Sequence, residues 1–185
     1  MDLELSEKVV LVTGASKGIG FAIAAGFAEH GAHVVICARS KEGLQQAADS
    51  ILKSTGQKVD VHAADVTRLP DIDALISHIK QTYGRLDVLV NNAGMGTYKS
   101  FLEVTDEELV SGMAINFFAQ FRITQRAVPL LQVSGNASVV NISGRSGVRG
   151  TYPPGSSCTG PAKAAEIRFS IDLAAELAEF GIRVN

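Results

Sequence analysis

The chain has 185 residues, 46% hydrophobic and 19% charged, with a formal net charge of −2. That is the composition of one folded domain with a core of its own, not of a disordered or fibrous chain. Without a basic run, nothing marks a nucleic acid or an anionic membrane as a partner.

The opening MDLELSEKVV mixes acids with apolar groups and lacks the apolar stretch of a secretory signal. No later run is long enough to span a bilayer. Cys37 and Cys158 have neither CxxC nor zinc-site spacing, so reduced thiols in a cytoplasmic protein are expected.

Residues 8–13 (KVVLVT) form a continuous β-branched run that stops at a glycine, which predicts a strand buried on both faces. Residues 18–30 carry Ile19, Ile23 and Phe27 four apart, the stripe of a helix packed on a sheet, with Gly31 as its stop. A second strand is expected over 33–38, and a helix over 41–55 that Gly56 ends. Residues 58–63 alternate as a third strand, and 71–83 follow Pro70 as a helix. Residues 86–90 read as the fourth strand. A long helix is expected from 106 to about 131, with Thr105 as N-cap and Glu108 at capping-box spacing. A fifth strand over 137–142, a helix over 161–180 stopped by Gly181, and the opening of a sixth strand at 182–185 complete the series. Strand–helix alternation demands crossover connections. The expected fold class is therefore α/β, a three-layer doubly wound parallel sheet of Rossmann type, in a single domain over 1–185. Such sheets bind ligands at the carboxyl ends of their strands, so the Gly/Ser/Pro-rich stretch 143–160 falls on the functional edge.

The strongest chemical signal is TGASKGIG, residues 13–20, between the first strand and the first helix. Gly14, Gly18 and Gly20 let the backbone turn sharply and approach a pyrophosphate. Ser16, Lys17 and Ile19 complete the loop, and the helix start offers free N–H groups with a positive dipole end. The second strand ends Cys37-Ala38-Arg39-Ser40, without the acid that would accept bonds from an NAD ribose. Arg39 and Lys17 instead flank the place of a 2′-phosphate, with Ser40 able to add a hydroxyl, so NADP(H) is the expected cofactor. No metal site is expected. His62 and His78 fall in the third strand and third helix, where structural roles are expected.

Together with Asn91-Asn92-Ala93-Gly94 after the fourth strand, TGASKGIG resembles the short-chain dehydrogenase/reductase family, over essentially the whole of 8–185. The resemblance implies that Asp65 and Val66 lie against the adenine. It implies that Asn92, Ala93 and Gly94 support the strand beside the ribose. It places Asn116 in a catalytic tetrad, holding a water that relays protons to the active-site lysine. Lys163 matches that lysine, which also binds the nicotinamide ribose. The long fourth helix and the helix of Lys163 would pack against a partner subunit, giving a homodimer or homotetramer.

At the remaining catalytic positions the chain departs from the pattern. Four residues before Lys163, where the family has a tyrosine one helical turn away, stands Thr159. A phenol has a pKa of about 10 that a nearby ammonium can lower, whereas an aliphatic hydroxyl is far more basic when ionised, and shorter. The doubled serine that usually ends the fifth strand is Ser143-Gly144, with Ser146 two places on. Ser143, Thr159, a displaced Tyr152 or a water are the open alternatives for the proton donor. The family also continues beyond an asparagine like Asn185 into a substrate-covering segment, so most of that lid is expected to be absent here.

Two functions follow. The first is an NADP(H)-dependent oxidoreductase that interconverts a small-molecule carbonyl and alcohol by hydride transfer, with Asn116, Ser143, Thr159 and Lys163 as its catalytic set. The second is an NADP(H)-binding pseudoenzyme that serves as scaffold or redox sensor.

Overall fold

The computed structural model describes residues 3–150 and 154–185. In chain order the elements are β1 (Val9–Thr13), α1 (Gly18–Glu29), β2 (His33–Ala38), α2 (Lys41–Thr55), β3 (Asp60–Ala63) and α3 (Leu69–Tyr83). They continue as β4 (Val88–Asn91), α4 (Asp106–Met113), a π turn (Ala114–Phe118), α5 (Ala119–Ser134), β5 (Ser138–Asn141), α6 (Thr159–Leu177) and β6 (Arg183–Val184). The six strands pair in parallel in the order β3-β2-β1-β4-β5-β6. This is the doubly wound α/β sheet expected from the sequence.

The two faces of β1 explain the three layers. Successive strand residues point to opposite sides. Leu11 packs with Ile72, Leu75, Leu89, Ile123 and Leu131 beneath α3 and α5. Val10 and Val12 pack with Ala24, Ala28, Leu44 and Ile51 beneath α1 and α2. Strands covered on both faces need no polar alternation, which is why the sequence shows unbroken apolar runs. The chain steps outward from β1 to β2 and β3, then returns to β4 on the other side of β1. That reversal opens a crevice at the carboxyl ends of β1 and β4, where the glycine loop and Asn92 lie.

Three helices differ from expectation. α3 begins at Leu69, two residues before the expected start at 71. The long helix expected over 106–131 is divided by the π turn. Asn116 at its centre donates from Nδ2 to the Gly112 carbonyl, 2.9 Å away. A side chain taking the carbonyl four residues back competes with the regular ladder, and a π turn is the local answer. The helix expected over 161–180 begins two residues earlier, at Thr159, and ends at Leu177 in a tight turn over Ala178–Phe180. Pro161 sits in its first turn, where no donor is needed. The capping box is as expected: Glu108 N–H donates to the Thr105 hydroxyl and Thr105 N–H to the Glu108 carboxylate.

Candidate active site

The crevice is held together from β1. Gly14 has φ +66°, and a Cβ there would lie 2.8 Å from the Ala93 Cα, so a side chain fails on both conformation and space. A Cβ on Gly20 would lie 2.6 Å from the Gly14 carbonyl oxygen. The glycine loop is thus folded tightly onto the start of α1. Asn92 Nδ2 donates to the carbonyls of Thr13 (2.9 Å) and Gly14 (3.2 Å). In return the Thr13 hydroxyl accepts from Asn92 N–H (3.1 Å) and Ala93 N–H (3.0 Å). Thr13 was not among the expected site residues. A threonine closing a buried strand just before the glycines was the available signal.

On the outer side of this clasp, α1 begins at Gly18 with no side-chain cap and no acid in its first turn. Its first N–H groups therefore lack side-chain acceptors, and its positive end is uncompensated. Ile19 is 65% exposed, unusual for an apolar residue at the start of a packed helix. Lys17 and Arg39 are exposed, and among the described residues neither forms an ion pair. Ser16 is half-buried in the glycine loop, next to Lys17 in the chain. Ser40 has a second task, since its hydroxyl accepts from Gly43 N–H (3.0 Å) and caps α2.

Asp65 and Val66 are placed differently from each other. The Asp65 carboxylate accepts from the Thr67 N–H (2.9 Å) and hydroxyl (2.7 Å). Burial raises its pKa, but the Thr67 bonds and the pull of Arg39 and Arg68 outweigh that and hold it below the usual carboxylate range. Val66 is 4% exposed and packs into the core. Cys37, a buried residue of β2, has its thiol pushed up to about 12 by burial, then by Asp71 and Asp65.

The β5–α6 side gathers Lys163, Ser143 and Asn116 but gives most of their polar atoms internal partners. Asn116 is fully buried. Besides Gly112 it donates to the Met95 carbonyl (2.8 Å) and accepts from Met95 N–H (3.1 Å), pinning the segment after Gly94. A Cβ built on Gly94 would lie 2.8 Å from Asn116 Oδ1 and 3.4 Å from Lys163 Nζ, so both groups border an exposed glycine. Ser143 donates to the Lys163 carbonyl (3.1 Å). Thr159 is 2% exposed; its hydroxyl accepts from Thr97 N–H (2.8 Å) and donates to the Thr97 carbonyl (3.0 Å). Thr159 opens α6, and its hydroxyl does not cap the helix but ties it to the loop at Thr97. Gly144 is extended, with nothing nearer to an added Cβ than the Ser146 hydroxyl at 3.8 Å. Tyr152 lies outside the described residues.

Lys163 Nζ donates to the Ile142 carbonyl (3.2 Å) and to both oxygens of Glu166 (2.9 and 3.1 Å). Glu166 is fully buried, and the sequence analysis missed it. Its signal was a lysine and an acid three apart on one helix face, the acid falling in the buried stripe with Ala162 and Leu177. Among the described residues no group of three or more metal-ligating side chains gathers, and no helix is long and apolar enough to cross a membrane.

The strand order, the glycine turn at the switch point and the uncapped start of α1 define a dinucleotide-binding oxidoreductase architecture. Residues 8–185 match the short chain dehydrogenase family. The 3-oxoacyl-(acyl-carrier-protein) reductase FabG of Thermotoga maritima is 37% identical over 186 residues, covering 99% of this chain and 73% of its own length. The FabG of Chlamydia muridarum is 35% identical over 100% of this chain and 74% of its own. L-sorbose reductase from Gluconobacter frateurii, solved with NADPH and L-sorbose, superposes with a TM-score of 0.95 at 34% identity, over 100% of this chain and 70% of that one. An NAD+-bound xylitol dehydrogenase superposes with a TM-score of 0.92 at 27% identity, over 98% and 69%. The chain belongs to the short-chain dehydrogenase/reductase family of oxidoreductases.

Proposed function

We propose that this chain is an NADP(H)-dependent oxidoreductase that interconverts a small carbonyl compound and its alcohol. The observation that carries the reading is the pair of exposed cations, Lys17 and Arg39, without ion-pair partners beside the uncapped start of α1, with no acid at the end of β2. A bound phosphate would give both an ion-pair partner, and a planar guanidinium suits it. The NADPH complex of L-sorbose reductase supports this choice, while the NAD+ complex of xylitol dehydrogenase shows the fold accepting the other cofactor.

In this reading Gly14, Ser16, Gly18, Ile19 and Gly20 cradle the pyrophosphate, and Lys17, Arg39 and Ser40 hold the 2′-phosphate. Asp65, the backbone of Val66 and residues Asn92, Ala93 and Gly94 border the adenosine. The cofactor supplies or takes the hydride. Lys163 reaches the nicotinamide ribose and, with Asn116 behind it, handles the proton.

Calorimetric titration tests this directly. NADPH is expected to bind at least about ten-fold more tightly than NADH, worth about 1.4 kcal/mol. Equal affinities would remove Lys17 and Arg39 from the cofactor site.

A second reading has its own support. The hydroxyls of Ser143 and Thr159 both donate to backbone carbonyls, which leaves neither pointed at a reacting oxygen in this conformation. A cofactor-binding pseudoenzyme fits that arrangement. NADPH oxidation against a panel of ketones separates the two, since a pseudoenzyme binds the dinucleotide and turns over none of them.

A further inference from the structure

With Thr159 bound to Thr97 and a glycine at position 144, neither of these two positions supplies an acid, yet a carboxyl group lies directly behind Lys163. We propose that Glu166 is the proton store of this site, a positioning residue that loads Lys163, and that Lys163 delivers the proton in place of the absent tyrosine. This rests on the nicotinamide-cofactor reading above and extends it.

The geometry is a short, one-directional chain. Glu166 is fully enclosed and cannot touch a ligand, while the Lys163 side chain keeps 13% of its surface open. Its ammonium sits between both Glu166 oxygens, at 2.9 and 3.1 Å, and the place a Cβ on exposed Gly94 would occupy, 3.4 Å away. Any side chain at Gly94 would close that opening. The groups facing Glu166 come from three elements. Lys163 on α6 supplies the charge, and the Ser143 hydroxyl after β5 and the Gln120 amide on α5 favour the ionised carboxyl. Burial outweighs all three and raises the carboxyl above its ordinary range. Gln120 is 2% exposed, so the buried end of the chain is closed by a polar amide. A buried pair of this kind is expensive to desolvate and is weak evidence for a role in stability.

The proton balance closes. In the reducing direction the carbonyl carbon gains a hydride, with its electron pair, from the dihydronicotinamide, which is oxidised. The carbonyl oxygen gains a proton from the Lys163 ammonium. The resulting amine takes a proton from the Glu166 carboxyl, and the carboxylate regains one from solvent by way of Lys163 Nζ, the member of the pair that lies at the opening beside Gly94. One carbonyl, one hydride and one solvent proton become one alcohol.

The first test needs no cofactor. In protein labelled with carboxyl-¹³C glutamate, with Glu166→Gln assigning the resonance, Glu166 is expected to titrate above every other glutamate, and Lys163→Met to drive it higher. A midpoint at the ordinary value of about 4.3, or one indifferent to Lys163→Met, overturns the proposal. The second test counts protons released on adding NADP+, by calorimetry in buffers of different ionisation heat. Release from the native protein and none from Glu166→Gln, at affinities within about two-fold, is the expected result. Equal release from both severs Glu166 from the cofactor site. Where a substrate turns over, Glu166→Gln is expected to lower kcat about ten-fold or more and remove one limb of the pH profile, with the KM for NADPH nearly unchanged. An unaltered profile counts against the proposal. A high, Lys163-coupled Glu166 in a protein that takes up neither dinucleotide upholds the pair and removes the cofactor reading. Tight NADPH binding with an ordinary Glu166 does the reverse.

Discussion

Around Gly14 and Gly20 the surface offered to a ligand is backbone, whereas around Lys163 it is side chains. The glycine loop is shaped by two positions where a Cβ meets the Ala93 Cα or the Gly14 carbonyl, and by the Asn92–Thr13 clasp. The β5–α6 side depends on which partner each polar side chain has chosen. There Ser143 and Thr159 have chosen backbone carbonyls, and Lys163 has chosen Glu166. A cradle of N–H groups tolerates change in its neighbours as long as the turn is kept. A proton path does not, because one altered side chain reassigns its neighbours' bonds.

The largest effect expected from breaking this contrast is on the side-chain half. Lys163→Met leaves Glu166 buried without its cation, which costs about 3–5 kcal/mol at neutral pH. The cost depends on pH in a fixed direction. The folded-state pKa of Glu166 is raised, so its contribution is fully present below the unfolded value of about 4.3 and is lost as pH rises through the raised one. Denaturant unfolding of Lys163→Met at a series of pH values should therefore show the deficit growing from acid towards neutral. The double variant Lys163→Met with Glu166→Leu should regain most of it, since an apolar pair of similar volume removes the buried charge. A deficit independent of pH would mean that Glu166 is not the source.

The matching break on the backbone half is Gly20→Ala. Its Cβ would press on the Gly14 carbonyl, which cannot swing aside as a side chain would. Overpacking of this kind costs about 1–3 kcal/mol, and the NADPH affinity should fall with the stability because the loop itself must move. Full NADPH affinity with reduced stability would separate the loop from the cofactor.

Thr159→Val asks whether the hydroxyl at the tyrosine position is chemical or structural. Valine keeps the shape and removes the bonds to both polar groups of Thr97. A loss of about 1–2 kcal/mol is expected, with turnover of any substrate unchanged. Loss of turnover in a stable protein would return Thr159 to the catalytic set.

What could be read from the sequence divides along the same line. The strands were legible because a sheet covered on both faces requires unbroken apolar runs, as in residues 8–13. The glycine loop was legible because its backbone path excludes side chains. The π turn at Asn116 was not, because it depends on an amide choosing the Gly112 carbonyl and the Met95 backbone, and the second lies 21 residues away. Thr159 was placed one helical turn before Lys163 by spacing alone, but its partner Thr97 is 62 residues distant and leaves no mark in local pattern. Glu166 was visible as an acid three residues after the lysine. Whether such an acid is solvated or enclosed is decided by α5 and the end of β5, which the local sequence does not contain.

The smallest expected effect is the most diagnostic of what the side-chain half has lost. Gly144 is extended at φ −153°, a conformation open to any residue, and an added Cβ finds nothing nearer than 3.8 Å. Gly144→Ser should therefore change stability by less than about 0.5 kcal/mol. The backbone there is already shaped for a serine, so this is a change of side chain without a change of path. If Gly144→Ser raises turnover of a ketone, the site lacked only a hydroxyl to orient the carbonyl, and the proton supply through Lys163 was already in place. If turnover stays flat in a protein that still binds NADPH, the deficit lies at Thr159, where removing the hydroxyl releases the loop at Thr97.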